Sequence, residues 1–135
     1  MATVHTSIVA RNAMLNGSGL TAAAAGGKLD IYSGSMPATP ETAASGTKLA
    51  SFTLGSPAFG AAASGVITAN AIAAVTGLAA NTAGWARLWE SDEATALQDY
   101  DVTATGGGGA VQLDYTAIVL NGEVTITSYT ITLGQ

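Results

Sequence analysis

Ile118-Val119-Leu120-Asn121-Gly122-Glu123-Val124-Thr125-Ile126-Thr127-Ser128-Tyr129-Thr130-Ile131-Thr132-Leu133 is the longest stretch of the chain whose residue types all ask for one kind of backbone. β-Branched residues dominate it, and they fit a pleated, half-buried surface better than a helix. Asn121-Gly122 suits the two positive φ angles of a type I′ turn, so residues 118–120 are expected to pair with 124–127 as a hairpin. Val124 and Ile126 share one parity, whereas Tyr129, Ile131 and Leu133 share the other. The apolar set therefore changes face near Thr127 and Ser128, as a one-residue bulge or a strand crossing between sheets would produce. A strand this long and half apolar needs a second apolar layer from the rest of the chain.

Upstream of this stretch the same signals recur. Val111, Leu113 and Tyr115 alternate as a strand, preceded by a four-glycine run, Gly106-Gly107-Gly108-Gly109, that reads as a flexible loop. No Lys-Ser or Lys-Thr follows the glycines and no helical pattern succeeds them, so they do not form a phosphate-binding loop. Residues 84–90 are the most aromatic strand candidate, with Trp85, Arg87 and Trp89 on one face and Ala86, Leu88 and Glu90 on the other. Ser91-Asp92-Glu93 turns the chain, and 97–102 returns as the hairpin partner. Residues 29–33 alternate as a strand. Pro37 and Pro40 then break pairing and leave an exposed loop. Ala50, Phe52 and Leu54 mark the next strand, Phe59 anchors an irregular connection, and 66–73 resumes extended structure.

Near the N-terminus, Thr6 or Ser7 caps a short helix running to about Leu15, with Ile8, Arg11, Asn12 and Leu15 at helical spacing and Asn16-Gly17 as the stop. A further helical turn over 21–25 ends at Gly26-Gly27. The expectation is an all-β fold: an antiparallel β-sandwich or jelly roll of about eight strands over 29–135, preceded by an N-terminal arm with a short helix over 1–28.

Composition narrows the functions. At 135 residues the chain is one domain, and only 10% of its residues are charged, against roughly 25% in typical soluble domains. A surface made of Ser, Thr, Ala, Asn and Gly keeps much of its area free for partners. The net charge of -5 and only four cations, Arg11, Lys28, Lys48 and Arg87, exclude a broad nucleic-acid surface. Without cysteine there is neither a disulfide framework nor a thiolate metal site. The N-terminus carries one arginine and no apolar run long enough for a signal peptide's core, and no segment approaches the length of a membrane span.

Reactive chemistry is sparse. His5 is the only histidine, and a Ser-His-Asp arrangement would have to be built on it; it reads as a solvated tail residue. Glu90, Asp92, Glu93, Asp99 and Asp101 gather acids around one hairpin, but their spacing matches no standard calcium loop. No cofactor is implied and the chain is not read as an enzyme. Two sets remain as an interaction surface. Ile8, Arg11 and Leu15 offer a helix face for another subunit. Trp85, Arg87 and Trp89 either pack in the core or a subunit contact, or stack on a sugar or on bases, because an arginine between two indoles presents both π faces and donors.

Leu29-Asp30-Ile31-Tyr32-Ser33-Gly34-Ser35-Met36-Pro37-Ala38 and Ala43-Ala44-Ser45-Gly46-Thr47-Lys48-Leu49-Ala50 are similar to a block of small structural proteins of tailed bacteriophages. The similarity continues through Pro57-Ala58-Phe59-Gly60, Gly65-Val66-Ile67-Thr68-Ala69-Asn70-Ala71-Ile72, Gly84-Trp85-Ala86-Arg87-Leu88 and the Thr-rich end. The resemblance implies a virion component on the capsid outer surface, made in the host cytoplasm: a head decoration or cement protein that clamps the major capsid protein and associates with itself as a homodimer or homotrimer. Neither nucleic acid nor membrane is an implied partner. A tail, collar or fibre-base component and a carbohydrate-binding module are the alternatives.

Overall fold

The computed structural model describes residues 2–15 and 19–133. The elements in order are β1 (Val4–Thr6), α1 (Ile8–Leu15), α2 (Gly19–Ala23), β2 (Lys28–Ser33), β3 (Lys48–Thr53), β4 (Val66–Thr68), β5 (Val75–Thr76), β6 (Asn81–Trp89), β7 (Ala96–Ala104), β8 (Val111–Leu113), β9 (Ala117–Ile118), β10 (Glu123–Val124) and β11 (Ile126–Thr132). Ser7 is the N-cap of α1: its Oγ accepts the Ala10 N–H at 3.0 Å and its carbonyl accepts the Arg11 N–H at 3.0 Å. The expected stop at Asn16-Gly17 lies outside the described residues.

Nine strands form one sheet whose main path runs β3-β2-β6-β7-β8-β11-β4, while β5 and β10 make a separate two-stranded ribbon. Strands β6 and β7 are nine residues each, long enough to serve two neighbours in succession. Strand β6 pairs with β2 over most of its length and with β9 at Asn81 and Thr82; β7 pairs with β1 at 98–100 and then with β8 at 102–104. The sheet curls around one core. Leu29, Ile31, Phe52, Leu88, Leu97, Val111, Leu113 and Ile131 fill it, and Leu20 and Ala24 close it from the helical side. Phe59 and Tyr100 both meet Tyr129 edge to face at 5.2 Å, the bulk that an alanine-rich interior otherwise lacks.

The fold is mostly β, as expected, but the sheet is mixed where an antiparallel one was expected. Strands β7 and β8 are parallel, joined by only 105–110. The glycine run makes this possible. Gly106 and Gly108 adopt φ of 84° and 85°, and a Cβ on Gly107 would lie 2.7 Å from Thr103 Cβ. The run expected as a flexible loop is a hydrogen-bonded double reversal, held by Gly106 N–H to Gln112 Oε1 at 2.9 Å and Ala110 N–H to Asp101 Oδ1 at 3.0 Å.

The expected 118–127 hairpin is also absent. Strand β9 pairs with β6 and β10 pairs with β5. Asn121 has φ 63°, but Gly122 does not share the positive region, so the turn is not type I′. Its backbone bonds elsewhere: Asn121 N–H to Gly77 O at 2.9 Å, and Gly77 N–H to Gly122 O at 2.8 Å. The change of face further along does occur. The register of β11 on β8 shifts between Ile126 and Ser128, and Tyr129 and Ile131 are buried beyond it.

Candidate functional site

Strands β2, β6 and β7 are buried on both faces, and the face away from the apolar core holds the chemistry. Register places Asp30, Arg87, Asp99 and His5 side by side across β2, β6, β7 and β1. Arg87 meets Asp99 in a bidentate fork, Nε to Oδ1 at 2.6 Å and an Nη to Oδ2 at 2.8 Å, and its other Nη donates to the Thr42 carbonyl at 2.8 Å. The guanidinium carbon lies 5.1 Å from the Trp85 ring and 5.4 Å from the Trp89 ring, so cation–π attraction adds to the ion pair. Tyr32 stacks on Trp85 at 4.7 Å.

Lys48 Nζ reaches Asp30 Oδ2 at 2.7 Å. Two cations therefore face two anions, and the row is electrically closed. Partial burial works against the Lys48 charge, but the hydrogen bond and field of Asp30 prevail and hold its pKa above the usual value. Burial, followed by the Asp30 charge, pushes the Tyr32 phenol up. Both shifts favour the forms already present at neutral pH, and neither produces a group poised to exchange protons there.

Segment 34–47 straps over this face. Thr42 holds Arg87, the Pro37 carbonyl lies 3.3 Å from His5 Nδ1, and Glu41 Oε1 accepts the Ile8 N–H at 2.5 Å. His5 is thus a partly buried residue of β1 and not a solvated tail residue. Trp85 is 0% exposed and Arg87 1%, so Trp85 offers no ring face to a ligand, while Trp89 and the edge of Arg87 border an open cleft. Trp85 and Arg87 are buried on the face away from the apolar core, and Trp89 is half-buried at the edge. The acids around the β6–β7 turn are dispersed as well. Asp92 turns back on Thr95 and Ala94, Asp101 accepts the Thr3 and Ala110 N–H groups, and Glu93 faces Lys28. Among the described residues no group of three or more His, Cys, Asp or Glu is arranged to hold a metal ion.

The accessible features are both polar and apolar: the open cleft of about 400 Å³ beside segment 34–47 is lined by Ser7, Glu41, Thr42, Arg87 and Trp89 among others. On α1, Ile8, Val9 and Arg11 are exposed; the Leu15 side chain lies outside the described residues. Leu78, Val119 and Leu120 stand together at the turn that encloses Gly77, at 52%, 59% and 60% exposure. Sequence reasoning missed this knob because the Asn121-Gly122 signal assigned Val119 and Leu120 to a paired strand. Between the helices and the β4–β11 pair lies an open apolar groove of about 300 Å³, lined by Met14, Leu20, Ile67, Ile131 and Leu133 among others. Among the described residues no helix is long and apolar enough to cross a membrane. Compared with protein-family models, curated proteins and solved structures, the chain matches none.

Proposed function

We propose that the chain is a structural binding module of a virion, a decoration or cement protein that docks on the outer surface of the major capsid protein lattice and stabilises it. The observation that carries this reading is the distribution of polarity. Arg87 and Asp99 neutralise each other inside the fold and the exposed Lys48 covers the buried Asp30, while large apolar side chains such as Ile8, Leu78 and Leu120 stand in water on a charge-poor surface. Exposed apolar surface, where contiguous, marks protein contact sites. The kind of partner is inferred from the resemblance of 29–38, 43–50, 57–60, 65–72, 84–88 and 124–133 to small structural proteins of tailed bacteriophages. We read the curled sheet as a sandwich-like brick whose two layers share β6 and β7.

Its action is linkage: a protein that binds only the assembled shell raises the free energy needed to disrupt it. Contacts that are weak singly suffice when repeated over a lattice. Electron microscopy of virions carrying a labelled copy tests the assignment. Labels covering the head, in a fixed ratio to the major capsid protein, are expected. A small multiple of six at the neck or tail would favour the tail or collar reading, and absence from particles would overturn the virion assignment.

A further inference from the structure

We propose that the cleft beside segment 34–47 is a binding site for a neutral saccharide, whose apolar ring face lies on Trp89 and whose hydroxyls meet Arg87 and Glu41. The inference stands apart from the virion reading, since it rests on the cleft alone. It also differs from the stacking surface expected from the sequence. Trp85 is 0% exposed and takes no part, and the other walls come from segments far from β6.

Three parts of the chain meet around a space of about 400 Å³, within the roughly 300–1,000 Å³ of small-molecule sites. They are Ser7 and Val9 at the start of α1, residues 40–43, and the β6–β7 hairpin with Arg87, Trp89 and 94–96. Hydrogen bonds hold these parts in place. Glu41 Oε1 accepts the Ile8 N–H, and the Thr42 carbonyl accepts from Arg87. The Asp92 carboxylate accepts the Thr95 hydroxyl at 2.6 Å and the Thr95 N–H at 2.9 Å. A site already assembled has little ordering left to do when a ligand enters.

The polar groups left over select the ligand. Of the five guanidinium N–H groups of Arg87, two go to Asp99 and one to Thr42. The two that remain, one on each Nη, have no partner among the described residues, although the side chain is 1% exposed. Trp89 Nε1 is likewise buried without a partner among the described residues. Buried donors of this kind call for acceptors. The acceptor is not an anion: Asp99 already neutralises Arg87, and Glu41 is the one lining charge with no counter-ion in the lining, so a carboxylate or phosphate ligand is repelled. A hydroxyl answers both groups, its oxygen accepting from Arg87 and its O–H donating to the Glu41 carboxylate. Trp89 shares the face of β6 that carries Arg87 and is half-buried, which leaves indole surface for the C–H face of a sugar ring.

Titration of the nitrogen-15-labelled full chain, followed by NMR through its two indole N–H resonances, tests this. Trp89 reports on the cleft, and the buried Trp85 is the internal control. The probes are glucose, galactose, mannose, N-acetylglucosamine, maltose and lactose, with glucuronate and galacturonate as anions. At least one neutral sugar is expected to shift Trp89 saturably, with Kd about 1 mM or below, and to leave Trp85 in place. It is expected to bind at least about tenfold more tightly than either uronate. Ala43→Leu and Ala94→Leu add bulk at exposed lining positions and are expected to weaken binding about tenfold or more. Glu41→Gln is expected to narrow the preference over uronates to about threefold or less. The proposal is overturned by the absence of a saturable Trp89 shift with every neutral sugar, by equal shifts of both indoles, or by a uronate that binds as tightly as the neutral sugars. Binding unchanged in the folded leucine variants, or a preference that survives Glu41→Gln, would overturn it as well.

Discussion

Arg87 is 1% exposed and bonded to Asp99 and Thr42, whereas Leu120 is 60% exposed. An arginine is inside and a leucine is outside, and each placement has its own physical support. Arg87 is tolerated because a carboxylate, a carbonyl and two indoles replace its water. Leu120 is held out because Gly77 and Gly122 lock the turn beneath it. The first region is buried and holds the fold together; the second leaves its large apolar side chains exposed.

The contrast breaks most visibly at Arg87. Arg87→Met leaves Asp99 buried and uncompensated, and is expected to cost about 3–5 kcal/mol in urea unfolding. Combining it with Asp99→Leu is expected to recover part of that loss, because the double variant leaves no orphaned charge. At the foot of the knob, Gly77→Ala forces the Val119 carbonyl to move and is expected to cost about 1–3 kcal/mol by the same measurement. Ser7→Ala removes the cap of α1 and should lower stability by about 1 kcal/mol. Leu120→Ser sharpens the comparison from the other end, with stability in urea unfolding expected within about 0.5 kcal/mol of wild type.

The smallest expected effect depends on pH. The Ile8 N–H, followed by its own backbone, holds the Glu41 carboxyl below the usual glutamate range. A depressed folded-state pKa contributes stability that is complete above the unfolded value, about 4.3, and is lost as pH falls through the folded one. The difference in stability between wild type and Glu41→Gln should therefore shrink on acidification from pH 6 to pH 3. Glu41 is exposed, so solvent screening keeps the change to a few tenths of a kcal/mol.

Much of the first region was legible in the sequence. Alternation placed Trp85, Arg87 and Trp89 on one face of β6, and the parity change near Ser128 marked the bulge in β11. What parity does not carry is the cover. Segment 34–47 has two prolines within a few residues and no period, so nothing local announces that it lies over Arg87. Legibility failed at the knob for a related reason. Asn121-Gly122 is a strong local hairpin signal, but Gly77, far away in sequence, takes the hydrogen bonds that a hairpin would use. The parallel return of β8 was hidden similarly, because a glycine run permits many paths and only Thr103, Asp101 and Gln112 together select one.

The most direct test of the proposed role is co-sedimentation of the purified chain with expanded phage heads that lack it, at micromolar concentration. Saturable binding in a fixed ratio to the major capsid protein, with a higher disruption temperature of the heads, is the predicted result. A folded protein that stays in the supernatant and leaves head stability unchanged would contradict it.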